Sequence, residues 1–106
     1  MQDQVHHIVD GDKIVIEILT NRFTHDLVNV IKSTYPYKML FDYRKVEFNL
    51  SKVKMIDSSS IGFLFELHNK LHANNDKAEL VIAVGDNTEL KDLLHKFQVD
   101  LLLKVH

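Results

Sequence analysis

The sequence predicts an α/β fold: a mixed, mostly parallel sheet of four to five strands packed by helices. Three observations carry this reading. Short apolar runs with a two-residue period or no polar break alternate with longer runs spaced three and four residues apart. The first two strand-like runs are separated only by Asp10-Gly11-Asp12, a hairpin turn. Each later strand-like run is joined to the next by a helical one, as parallel pairing requires.

Taken in order, Val5 to Val9 is a short strand. Lys13 to Leu19 is a second, with Ile14, Ile16 and Ile18 on one face and Val15, Glu17 and Leu19 on the other. Thr24 is placed to cap a helix that carries Leu27, Val28 and Ile31 and ends at Tyr35-Pro36, since the residue before proline avoids the α region. From Tyr35 to Lys45 the aromatic residues Tyr35, Tyr37, Phe41 and Tyr43 follow no clean period. Val46, Phe48 and Leu50 define a strand over about 45 to 50, and Ser51 to Asp57 a loop. A long helix follows, with Ile61, Leu64, Phe65, Leu67, His68 and Leu71 on one arc. Ala78 to Val84, almost continuously apolar, has the composition of a strand buried on both faces. Asp86 and Glu89 have the spacing of a capping box before Leu90, Leu93, Leu94 and Phe97, and Leu101 to Val105 is a terminal strand or a helix extension. The order is β-β-α-β-α-β-α-β, and residues 1 to 106 are expected to form one domain.

Composition narrows the function classes. With 13 basic and 15 acidic residues well mixed, the chain offers no electrostatic reason for nucleic acid or an anionic membrane as partner. It has no cysteine, so no disulfide or thiolate metal site, which suits a cytoplasmic location. No segment approaches the roughly 20 apolar residues of a membrane span, and the first ten residues do not read as a signal peptide. His68 and His72 are four residues apart, but His-Asn-Lys-Leu-His lacks the glutamate of a zinc-protease helix, and both read as histidines at the edge of the core. Neither a metal nor a cofactor is expected.

The segment Asp57-Ser58-Ser59-Ser60-Ile61-Gly62 gathers small polar side chains at a helix start. Capping explains some of them, and Ser58 is the natural cap if the helix is wound from Ser59. A 100° step per residue then turns Ser60 toward the Ile61 and Leu64 side and leaves Ser59 on the opposite arc with Gly62, Phe63 and Glu66. Ser59 is thus the exposed serine, at a helix terminus whose free N–H groups and dipole favour negative charge. A phosphate there would add about -1.5 to -2 charges beside Asp57 and Glu66, and a partner packed on Gly62 and Phe63 would have to desolvate them. The pattern Gly-x-Ser-x-Gly is absent, so a hydrolytic nucleophile is not expected and the domain is read as non-catalytic.

The stretch Val46 to Gly62, with Asp-Ser-Ser-x-Ile-Gly after a strand, resembles the core signature of the STAS domain, in particular the single-domain bacterial anti-sigma factor antagonists. The resemblance covers nearly the whole chain, with its hairpin, buried strand and late helix in the family's order. It implies phosphorylation of the second serine, here Ser59, by a serine kinase that is also an anti-sigma factor. It further implies release of that complex by phosphorylation and resetting by a PPM-type serine phosphatase. Asp57, Ser58, Ser60, Gly62, Phe63 and Thr24 are the expected partner contacts around it. Ser60 stands where the family commonly has glycine, and Thr24 lacks the charge of the acidic residue common at its position. The competing class is a constitutive STAS adaptor subunit, as in a lipid-transport ATPase complex, and a third is a small-molecule-sensing module. The oligomeric state is not legible.

Overall fold

A computed structural model describes residues 4–97, 99, 104 and 105. Strands β1 (Val5–Asp10) and β2 (Lys13–Ile18) form the expected antiparallel hairpin, with Val5 opposite Ile18 and Asp10 opposite Lys13. Gly11 makes the turn at φ 61°, a conformation that a Cβ disfavours. There follow β3 (Arg22–Phe23), helix α1 (His25–Thr34) and a single-turn helix α2 (Tyr37–Leu40). Next come β4 (Lys45–Asn49), β5 (Met55–Ile56) and the long helix α3 (Ser58–Asn74). The remainder is β6 (Glu79–Ala83), α4 (Thr88–Lys96) and β7 (Lys104–Val105). The main sheet has the order β1-β2-β4-β6-β7 and is parallel everywhere except in the hairpin. The expected fold class is the one observed. Of the expected last strand, Lys104 and Val105 pair with Val81 and Ile82, while residues 101–103 lie outside the described residues.

The register explains the burial pattern. Ile14 lies opposite Val46 and Val46 opposite Leu80; Ile16, Phe48 and Ile82 repeat this two residues on. All six are buried on the sheet face covered by the helices, where a side-chain period of two must place them together. Val15, Glu47 and Val81 share the other face, and of these three only Val81, on β6 between β4 and β7, is fully buried. The unreadable aromatic window resolves into core edge: Tyr35 is buried, and Tyr37, Phe41 and Tyr43 pack against the core from its rim. Tyr35 ends α1, its N–H donating to the Ile31 carbonyl at 2.7 Å, before Pro36 breaks the helical path.

Two strands escaped the periodicity. β3 and β5 form a separate parallel pair, Arg22 with Met55 and Phe23 with Ile56, too short for any period to register. The Asn21 carbonyl accepts the N–H groups of Lys54 and Met55 and extends this tie. Each strand runs straight into a helix, so the pair sets the starts of α1 and α3 side by side. Helix α4 is capped by Asn87 rather than Asp86. The Asn87 side chain accepts from the Leu90 N–H and donates to the Ser51 and Val53 carbonyls, which holds it at the cap position.

Candidate functional site

Asp57, not Ser58, is the N-cap of α3. Its extended backbone (φ -128°, ψ 179°) continues from β5, so the first helical residue is Ser58. Asp57 Oδ1 accepts the Ser60 N–H at 2.9 Å, and Ser60 Oγ in turn accepts the Asp57 N–H at 3.1 Å, a reciprocal capping box. The Ser60 hydroxyl also donates to the Asp57 carbonyl at 2.9 Å. The second carboxylate oxygen, Oδ2, accepts the His25 N–H at 3.0 Å from the first turn of α1. One carboxylate therefore satisfies free N–H groups at the starts of two helices. Thr24 occupies the N-cap position of α1, but its hydroxyl makes no capping bond, because Asp57 serves α1 from across the β3–β5 pair. Partial burial works to raise the Asp57 pKa, yet the hydrogen bonds from Ser60 and His25 and the nearby His25 charge outweigh it, and the group sits below its ordinary 3.8.

The three serines are thereby separated. Ser58 is exposed, Ser59 is half-buried, and Ser60 is 0% exposed with its hydroxyl committed to the capping box. Ser60 is consequently no surface contact, contrary to the expectation that it takes part in partner binding. The Ser59 hydroxyl has no hydrogen-bond partner among the described residues. It faces a groove lined by Ser59, Gly62, Phe63 and Glu66 of α3 and by His25, Val28, Asn29 and Lys32 of α1. Both sets have the spacing i, i+3, i+4, i+7, the signature of two helix faces laid side by side. The helices run parallel: His25 bonds to Asp57 at the start, and Lys32 approaches Glu66 at 3.8 Å, seven residues on from His25 and from Ser59 respectively.

Phe63 corrects a second expectation. It shares an arc with Ser59, but it is only 3% exposed. Its ring meets Phe48 and Phe23 edge-on at centroid distances of 6.0 and 6.5 Å, a geometry that favours aromatic pairs. Helix α1 covers the flank of α3 that one-helix geometry leaves open, so Phe63 forms the floor of the groove and not a protruding contact. Gly62, by contrast, is exposed, and a Cβ built on it meets nothing within 4 Å.

Three groove residues that the sequence did not single out, His25, Asn29 and Lys32, come from α1. Their signal was the polar positions of α1 at helical spacing, which say that a face exists but not what it faces. Elsewhere, His68 is half-buried with its ring 4.4 Å from that of His72, and burial, then the neighbouring histidine, lowers its pKa. Among the described residues, no three His, Cys, Asp or Glu side chains gather as a metal ion would need.

The comparisons with known proteins agree with this architecture. The STAS domain profile matches residues 2–106. Among solved structures, the chain is similar to the anti-sigma factor antagonist SpoIIAA in its unphosphorylated form, at 14% identity and a TM-score of 0.69, covering 96% of this chain and 86% of that one. It is similar to TM1081 of Thermotoga maritima, a candidate anti-sigma factor antagonist, at 16% identity and a TM-score of 0.73, covering 95% and 84%. The phosphorylated form of the Bacillus cell fate determinant SpoIIAA matches at 14% identity and a TM-score of 0.67, covering 96% and 90%. No curated protein matches at a significant level by sequence. At these identities the neighbours speak for the fold, and the profile, matched over almost every residue, speaks for the family: the chain belongs to the STAS domain family.

Proposed function

We propose that this domain is an anti-sigma factor antagonist of the partner-switching kind, controlled by reversible phosphorylation of Ser59. The observation that carries the reading is the groove serine itself: a half-buried hydroxyl with no bond of its own, between one exposed serine and one wholly buried. A serine kinase that doubles as the anti-sigma factor binds the unmodified groove and transfers the γ-phosphoryl group of ATP to Ser59 Oγ. ADP leaves, and the hydroxyl proton passes to a base of the kinase. The phosphate expels the partner, because burying it in the interface would cost more than the contacts return. A PPM-type phosphatase then hydrolyses the ester with water. Asp57 holds both helix starts in place, and Ser58, Gly62 and Thr24 border the contact surface. The domain's part in this cycle is binding and not catalysis, and a cytoplasmic location follows from the need for ATP. No helix among the described residues is long and apolar enough to cross a membrane.

Incubation with the cognate kinase and ATP, followed by peptide mapping, is expected to place one phosphate on Ser59. Ser59→Ala should keep partner affinity, and Ser59→Asp should lose about tenfold or more, since an unsatisfied buried polar group costs on the order of 1–3 kcal/mol and a charged one more. A phosphate on Ser58 with Ser59 unmodified would overturn the assignment. Equal binding by Ser59→Asp would instead favour a constitutive adaptor.

Gly62 separates stability from binding. Because its surroundings are open and its position is helical, Gly62→Ala should raise stability by roughly 0.5–1 kcal/mol in a urea titration. If the partner's backbone approaches α3 at this point, the added methyl will weaken the complex by about tenfold even as the free domain becomes more stable.

A further inference from the structure

The groove holds a cation with a weak partner. Lys32 Nζ stands 3.8 Å from Glu66 Oε2, at the outer limit of an ion pair, with the two side chains 43% and 46% exposed. Such pairs contribute little in water. The same ammonium lies 5.9 Å from the centroid of the Phe63 ring. Glu66 has a second neighbour in Tyr37, whose pKa is pushed up to about 12 by burial and then by that carboxylate. The Tyr37 Oη lies beside that carboxylate but makes no hydrogen bond of standard geometry.

We propose that Lys32 is the internal counter-ion for a phosphate on Ser59, leaving Glu66 for the phosphate when the serine is modified. This rests on the reading of Ser59 as the phospho-acceptor and adds a receiving residue on the neighbouring helix. The distance is within reach. Phe63, over which the ammonium lies, is four residues beyond Ser59, about 6 Å along the helix axis. Lysine leans toward the N-terminus of its own helix, and α1 runs parallel to α3, so the four-carbon stem swings toward Ser59 without moving the backbone. The exchange is also favourable in charge. A phosphate carries close to twice the charge of a carboxylate and accepts stronger hydrogen bonds from an ammonium. Asp57, the acidic group at the start of the groove, does not compete, because both its oxygens are held by N–H groups of Ser60 and His25. Glu66, once released, still faces the Tyr37 hydroxyl. Phosphorylation then does more than add charge: it draws Lys32 across the groove and closes the surface offered to a partner.

The test is a chain with phosphoserine inserted at position 59 during translation, which needs no kinase, titrated by phosphorus NMR. A nearby ammonium favours the dianion, so the second ionisation of the phosphate should lie about 0.5 unit or more lower with Lys32 than in Lys32→Met. Lys32→Arg should retain the lowering. Because Lys32 is exposed, Lys32→Met should melt within about 2 °C of the parent. Lys32→Gln provides a second neutral variant if the methionine protein fails to fold. The same titration for the lysine and neutral chains would overturn the inference. A kinase that ignores Ser59 would defeat the proposed function, yet the inserted phosphoserine would still decide the role of Lys32.

Discussion

Phe63→Ala is expected to destabilise the domain by about 3–5 kcal/mol, seen as a lower urea midpoint at an unchanged slope. The ring is buried between α1, α3 and the sheet and completes a three-membered aromatic cluster with Phe23 and Phe48. Its removal forfeits both the apolar transfer energy and the edge-to-face contacts, and leaves a cavity that two helices and a sheet cannot close together. Small domains have only about 5–15 kcal/mol in total, so the loss removes a large part of the stability. Phe63→Leu, which keeps most of the volume, should cost far less. A Phe63→Ala chain with unchanged stability would show that the ring is not packed as described, and would return Phe63 to the role of exposed partner contact.

The second large effect is at Asp57. Asp57→Ala removes the side-chain half of a capping box and the acceptor for the His25 N–H in one step. A lost cap costs about 1 kcal/mol and an N–H without its partner a similar amount, so roughly 2 kcal/mol is expected in all. The loss should depend on pH. The folded-state pKa lies below the unfolded value, so the carboxylate's contribution is complete above about pH 4. It disappears as pH falls through the lower folded-state value. Urea titrations of parent and variant should therefore differ by a constant amount from pH 5 to 7 and converge below pH 4. A gap that persists at low pH would mean that the carboxylate acts through packing and not through its charge. Because Asp57 sets the starts of α1 and α3 together, Asp57→Ala should also loosen the groove and weaken partner binding with Ser59 intact.

Much of this molecule was legible in the chain because local periodicity and global packing agree. Ile14, Ile16 and Ile18 alternate, and the sheet buries them; Gly11 follows an Asp in a turn, and it adopts positive φ. The helical phase also sorted Ser59 from Ser60 correctly, since the direction of a side chain on a helix is a property of the helix alone. The errors came where two segments distant in sequence meet. Asp57 and Ser58 are equally good caps by residue type, and the choice between them was made by β5, whose pairing with β3 keeps Asp57 extended. Asp86 and Asn87 differ for the same kind of reason: only Asn87 can reach the Ser51 and Val53 carbonyls.

By itself, then, the sequence determined the order of the main-sheet strands and the three longer helices, the buried faces of β2 and β4, and the turning of Ser59 away from the side that takes Ser60, all of them consequences of residue spacing along one segment. Only the tertiary structure decided that Asp57 caps two helices, that Phe63 is floor and not surface, and that Lys32 of α1 stands over the same groove as Ser59 of α3. The physical reason is that a helix has more than one flank. Periodicity identifies the flank that meets the sheet, but a neighbouring helix brought alongside by a two-residue strand pair leaves no periodic trace in either partner.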